Sequence, residues 1–112
     1  MAFDSDWGVE DIEVPAAPGS LMRAVMLWRP GKFRISRRDS ELYSVQIASA
    51  GAWAHLTIYT GEGRKVFKQM STFTGSFWLS AGCEGGIIAF LEAATTAPTV
   101  TLNFRERDRA LV

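Results

Sequence analysis

The side chains able to do acid–base or nucleophilic chemistry are few and far apart in this sequence. His55 is the single histidine and Cys83 the single cysteine. A general base needs a partner that positions it, and a nucleophilic thiol needs an activating base or a positive field. Glu84, next to Cys83, would instead raise the pKa of the thiol. We therefore expect a packing or surface histidine, a plain loop thiol, and no enzyme.

Carboxylate, phosphate and metal chemistry are no better supported. Asp4 and Asp6 lie in a stretch where nothing fixes their separation, which argues against a glycosidase pair. The GCEGG run at 82–86 is not followed by Lys-Ser/Thr or by a helix start, as a phosphate-binding loop requires. One cysteine and one histidine cannot build a Cys/His metal site. The sequence predicts no catalytic residue, no cofactor and no metal.

Aromatic side chains are the remaining candidates for binding. Trp53, Tyr59 and Trp78 fall on the strand faces opposite the most apolar residues of their strands. Exposed aromatic rings on a β-sandwich can stack on sugar rings or anchor a protein partner. The alternative is that both sheet faces are covered, because aromatic residues of small domains are mostly interior.

The central stretch, 52–79, predicts the strands that position these rings. Ala54, Leu56 and Ile58 alternate with polar or aromatic residues, which is the period of a half-buried strand. Glycines at both ends of Gly61–Gly63 suit a tight turn, because glycine adopts positive φ without a Cβ clash. The pattern predicts a β-hairpin, then a second bend and a third strand.

The rest of the chain predicts an all-β fold, a β-sandwich or jelly-roll of about eight short antiparallel strands. The further strands are predicted at 20–28, 32–38, 41–48, 87–91 and 99–105. A short buried helix is the alternative for 20–28, residues 32–38 are predicted to be a surface strand, and 81–86 a flexible loop. The predicted core comprises Val45, Ile47, Leu56, Ile58, Val66, Val100, Leu102 and Phe104.

Length and charge bound the class of protein. A chain of 112 residues forms one domain with a single core. Its 12 basic and 12 acidic residues balance, which argues against nucleic-acid binding. We expect no signal peptide, because residues 1–14 are acidic and lack a basic segment followed by an apolar run, and no apolar run is long enough to span a bilayer. We expect a protein without a membrane or nucleic-acid partner, made in a reducing cytoplasm.

The balanced charge is segregated along the chain. Residues 1–14 carry acidic side chains with no Lys or Arg, whereas residues 23–38 carry six basic side chains with no acidic residue before Asp39. Prolines stiffen the link between them, so we divide the chain into an extended arm and linker, 1–19, and a sandwich domain, 20–112. Opposite patches on one molecule favour pairing between copies and hence a homo-oligomer.

The arm is predicted to reach another protein molecule. Its anchors would be Phe3 and Trp7, because solvating tails seldom carry aromatic residues. The complementary basic surface would include Arg34, Arg37 and Arg38. The alternative is intramolecular, with the arm folded over its own basic strands.

Three segments carry a family resemblance: GAWAHLTIYTGEGRKVF at 51–67, STFTGSFWL at 71–79 and GCEGG at 82–86. In their glycine and aromatic placement they resemble small proteins of tailed bacteriophages and, more loosely, the all-β decoration or cement proteins that clamp phage capsid shells. The resemblance implies a β-sandwich or jelly-roll, many copies per particle, binding to the major capsid protein, and no catalytic residue.

The expected function is therefore that of a non-enzymatic structural protein of a bacteriophage virion. It would be made in the host cytoplasm and would bind and stabilise the capsid shell as an oligomer, with the major capsid protein or another virion protein as partner. The alternative is a carbohydrate- or receptor-binding module, for instance at a tail tip. A groove lined by Trp53 or Trp78 would favour sugar binding, and a flat surface with an extended arm would favour clamping.

Overall fold

The computed structural model describes residues 8–12, 22–48, 54–71, 74–93 and 97–107. These residues form nine strands and no helix, so no helix among them could span a membrane. The strands are β1 (Glu10–Asp11), β2 (Arg23–Leu27), β3 (Gly31–Ser36), β4 (Ser40–Ala48), β5 (Ala54–Thr60), β6 (Lys65–Ser71), β7 (Gly75–Cys83), β8 (Ile87–Ala93) and β9 (Thr99–Glu106).

The strands form two packed sheets, which confirms the predicted all-β sandwich. One sheet has five strands in the order β1-β3-β8-β5-β6, and the other has four in the order β2-β9-β4-β7. All pairs are antiparallel except β1 with β3, which is parallel. Consecutive strands from β2 onwards change sheet at each connection, except that β5 and β6 pair directly.

The predicted central hairpin is β5–β6. Thr60 closes its turn, because its Oγ1 accepts the backbone N–H of Glu62 at 3.2 Å and of Arg64 at 3.1 Å. Gly63 has a φ of +92°, a conformation that favours glycine. The side-chain hydroxyl and the glycine together fix the reversal of the chain.

The core lies between the sheets, and seven of the eight predicted core residues are buried in it. The exception is Val66, which is partly buried at the edge strand β6. Opposite Ile58 and Tyr59 the register shifts from Phe67 to Lys65, which leaves Val66 without a partner of its own in the ladder. A local bulge in an edge strand is thus the reason for the difference.

The prediction that 32–38 is a surface strand is wrong. Phe33, Arg34, Ile35 and Ser36 are all buried. The strand β3 lies between β1 and β8, and Ile88, the partner of Arg34 in register, has an exposed fraction of 0%. Arg34, although it points outward, therefore lies on a covered part of the sheet, whereas Lys32 nearer the start of β3 is exposed.

The predicted flexible loop at 81–86 is also wrong. Residues 81–83 complete β7, and a short turn leads into β8. A Cβ on Gly86 would lie 2.0 Å from the carbonyl oxygen of Ser36, and a Cβ on Gly61 would lie 2.1 Å from that of Gly85. These glycines permit close backbone contact and do not mark a mobile segment.

Candidate docking surface

The thiol of Cys83 is buried and cannot react with molecules in solution. Its exposed fraction is 1%, and it lies at the end of β7 within the core, so the prediction of a plain loop thiol is wrong. Burial raises its pKa to about 11, more than Arg64 lowers it. The predicted direction is confirmed, but burial is the main cause and Glu84 contributes less. At neutral pH the thiol is protonated and inaccessible.

The carboxylate of Glu84 has a structural partner. Arg64 donates to its two oxygens, from Nε at 2.7 Å and from Nη2 at 3.0 Å, and also donates to the carbonyl of Gly82 at 2.7 Å. These contacts lower the pKa of Glu84 to about 2. The pair joins the β5–β6 turn to the turn after β7, so it ties one sheet to the other.

His55 lies in β5, half-buried, with Glu92 and Met70 as its partners in register. Among the described residues, no group of three His, Cys, Asp or Glu side chains could hold a metal ion. Asp4 and Asp6 lie outside the described residues.

The described part of the arm contacts its own domain. Glu10 and Asp11 pair with Phe33 and Arg34 along β3, and Ile12 packs against the core. Arg37 Nη2 donates to both oxygens of Asp11, at 2.8 and 2.9 Å. For residues 10–12 these contacts are those of the intramolecular alternative. Contact of the arm with another molecule stays a prediction. Phe3 and Trp7 lie outside the described residues.

The three predicted partner arginines do not form one surface. Arg34 has an exposed fraction of 6%, and its Nη1 donates to the carbonyls of Ser36 and Gly85 at 3.3 and 3.5 Å. Arg37 is exposed and bound to Asp11. Arg38 is exposed in the turn before β4, where its carbonyl accepts the hydroxyl of Ser40. The burial of Arg34 was not predicted, because basic residues alternating with apolar ones along 32–38 are typical of a surface strand.

The structure describes two of the three predicted aromatic candidates, Tyr59 and Trp78, and of these Trp78 is exposed to solvent. It lies on the outer face of β7 with an exposed fraction of 77%. Tyr59 is half-buried, with its ring centroid 5.0 Å from that of Phe90. Trp53 lies outside the described residues. Exposure therefore selects Trp78 as the ring available to a ligand or partner.

Other exposed apolar side chains gather on the same sheet. The large hydrophobic residues exposed among the described residues are Met22, Met26, Trp28 and Trp78. Three belong to β2 or its flanks and the fourth to β7, and these strands are the two edges of the four-stranded sheet. Sequence reasoning missed the β2 residues because 20–28 is apolar at every position except Ser20 and Arg23. Their even-numbered spacing, opposite Val25 and Leu27, was the available signal.

Between these edges the outer face of the four-stranded sheet carries hydroxyl and amide groups. Two central rows of residues cross this face from β2 to β7. The first row is Ala24, Asn103, Ser44 and Trp78, and the second is Met26, Thr101, Gln46 and Ser76. We call these eight residues the uncharged face. Within it, Asn103 Nδ2 donates to Ser44 Oγ at 2.8 Å. The charged pairs of Glu41 with Arg105 and Arg107 lie towards one end of the sheet, outside these rows.

A cleft adjoins the uncharged face on the β2 side. It has a volume of about 350 Å³, and its apolar walls are formed by Ile12, Met26, Leu27, Trp28 and Phe33. Glu10, Asp11 and Arg29 also line the cleft, and Arg29 forms an ion pair with Glu10. The uncharged face, without the cleft, therefore suits an uncharged, partly apolar contact surface.

No known family model matches this sequence, and a search of curated proteins finds no match either.

Proposed function

We propose that this protein is a non-enzymatic structural protein of a bacteriophage virion, a decoration protein that binds and stabilises the capsid shell as an oligomer. The major capsid protein is its proposed partner. The observation that carries the proposal is the uncharged face with Trp78 exposed at one side and Met26 at the other.

The composition of this face supports a protein contact. The centres of protein–protein interfaces are depleted in charge and enriched in Trp and Met, because desolvating a charge costs free energy and large rings supply contact area. Methionine adapts its shape to a partner, and amide and hydroxyl groups form hydrogen bonds there. The buried thiol and the ion-paired Glu84 are the kinds of placement expected of structural side chains.

The test uses empty shells of the phage's major capsid protein mixed with the full chain, with co-sedimentation as the measurement. We expect Trp78→Ala combined with Met26→Ala to weaken binding about tenfold or more. The matched control is Lys68→Ala, an exposed residue on the five-stranded sheet. Shells that bind the wild-type chain no better than an unrelated protein would refute the proposal, as would equal loss in the control.

A carbohydrate- or receptor-binding module is the second candidate. The observation favouring it is that Trp78 lies between two exposed serines on the same face of β7, Ser76 and Ser80. A ring flanked by hydroxyl groups can stack on a sugar and share hydrogen bonds with it. Titration against a panel of bacterial surface glycans distinguishes the two functions, since saturable binding lost in Trp78→Ala, without shell binding, would favour the sugar.

A further inference from the structure

The edges of the two sheets differ in charge. The five-stranded sheet ends in β1, which consists of Glu10 and Asp11, and in β6, which carries exposed Lys65 and Lys68. Charges on an edge strand discourage pairing with another chain. By contrast β7, the end of the four-stranded sheet, runs for nine residues, GSFWLSAGC, without a charged side chain.

The two edges of the four-stranded sheet also differ from each other. On β2 the inward side chains, Val25 and Leu27, have exposed fractions of 8% and 2%. On β7 the inward side chains Leu79 and Ala81 are only partly buried, although they pack against the core. A further strand added beside β7 would cover inward apolar side chains that are still partly exposed, whereas those of β2 are already buried. The edge at β7 is therefore the better place for an added strand.

We propose that the occupant is a second copy of this chain, paired antiparallel along β7 so that Leu79 of one copy lies opposite Leu79 of the other across the twofold axis. The two four-stranded sheets then form one sheet of eight strands. Such an isologous contact satisfies the backbone groups of both edges at once and closes on itself.

The sequence of β7 fits this register. Residues that face the same side must pair with one another, since a shift of one residue would turn every side chain to the wrong face. With Leu79 central, all nine residues are paired, and large residues meet small ones: Trp78 meets Ser80, and Phe77 meets Ala81. A shift by two residues would place Trp78 against itself and leave the strand ends without a partner.

An irregularity in the pairing of β7 with β4 does not prevent this arrangement. The register shifts between Leu42 and Ser44 on β4, opposite the segment from Ala81 to Trp78. The alternation of half-buried and exposed side chains nevertheless continues unbroken along β7 up to Cys83. Both faces of the strand thus stay defined for a second partner.

The pairing would leave Trp78 on the outer face and place two uncharged faces side by side in one surface. The inference does not depend on the capsid assignment, because the contact joins two copies of this chain and involves no other protein. A contact along one strand is small compared with standard interfaces of about 1,600 Å². We therefore expect a dimer that forms in the micromolar range.

The first test is sedimentation equilibrium of the full chain across the micromolar range. The expected result is a monomer–dimer equilibrium, with a dissociation constant raised about tenfold or more by Trp78→Lys. Trp28→Lys is the matched control, because Trp28 is similarly exposed, at 66%, but flanks the opposite edge. A wild-type monomer throughout would overturn the pairing and leave the proposed docking face untouched. An equal loss of dimer affinity in both variants would indicate a head-to-tail contact of β7 with β2, and it would also overturn the proposed pairing of β7 with β7.

The second test fixes the register by oxidative cross-linking in a Cys83→Ala background. Directly opposite residues of an antiparallel pair have Cα atoms about 4.5–5.5 Å apart, within disulfide range. We expect Leu79→Cys to give a covalent dimer and Trp78→Cys to give none. Cross-linking through Trp78→Cys alone, or through neither in a chain that circular dichroism shows to be folded, would contradict the proposed pairing.

Discussion

The two sheets share one core but differ in what lies on their outer faces. On the five-stranded sheet, Ile88 has an exposed fraction of 0% and Arg34 of 6%, and the ring of Phe90 contacts the ring of Tyr59 and the ammonium of Lys32. On the four-stranded sheet, Trp78 and Met26 stand at 77% and 52%. Outward-facing apolar residues are covered on one sheet and bare on the other.

This difference shows that the direction of a side chain does not determine its exposure. Ile88 and Met26 both occupy outward positions by register, yet one is packed and the other is not. A period-two pattern assigns the face of a strand but says nothing of what covers that face. The bare apolar residues are therefore the informative ones, because a contact with a partner would remove them from water.

The largest expected effect concerns stability. We expect Ile88→Ala to lower the free energy of unfolding by about 2–5 kcal/mol, as for a core residue, because it leaves a cavity. Met26→Ala on the other sheet should change it by less than about 0.5 kcal/mol. Urea unfolding followed by fluorescence measures both. Equal effects would mean that the two outer faces do not differ as described.

The next effect concerns docking without a change in stability. Gln46 lies exposed in the uncharged face, so we expect Gln46→Glu to weaken shell binding about tenfold or more by burying an unpaired charge. The melting temperature should stay the same. Lys68→Glu on the five-stranded sheet is the control, and a similar loss in that variant would remove the distinction between the faces.

The two sides of β7 should differ in chemical access. Collisional quenchers should reach Trp78, whereas thiol reagents at pH 8 should label Cys83 only after unfolding, because the native thiol is buried. Since the folded thiol holds its proton to about pH 11 and the unfolded one ionises near 9.0, stability should fall as pH rises between these values. Cys83→Ala should remove that part of the pH dependence. Rapid labelling of the native protein at pH 8 would contradict the assigned burial.

The smallest effect concerns the ion pair that ties the sheets together. The pKa of Glu84 is lowered from 4.5 to about 2, so its stabilising contribution is present above pH 4.5 and is lost as the pH falls towards 2. Glu84→Gln should therefore lower the melting temperature slightly at pH 7 and not at pH 2. Because both side chains are exposed, the change is expected to be small. Glu62→Gln, in the β5–β6 turn, is the control, and a difference that persists at pH 2 would rule out this ion pair as its cause.

The sequence alone predicts the strands and most of the core because period two is a local signal. Leu56, Ile58 and Val100 could be assigned to the interior from their own neighbours. The burial of Arg34 and the contact of Glu10 and Asp11 with β3 could not be predicted in this way, since they depend on which distant strands adjoin β3. For Trp78 the sequence left two alternatives open, an exposed ring or a covered one. The choice between them depends on the sheet to which β7 belongs and on its position at the edge of that sheet.

The order of the strands has a consequence for how the chain folds. Among the described strands, β5 and β6 are the one consecutive pair joined in a ladder, and the other pairings link strands with at least one other strand between them in the sequence. Closing long loops costs entropy before the contacts repay it, so such topologies fold in milliseconds to seconds and not in microseconds. We infer that the β5–β6 hairpin forms early. In the four-stranded sheet, β4 cannot complete its pairing until β9 has been synthesised, so on the ribosome the uncharged edge of β7 emerges before that sheet can be assembled.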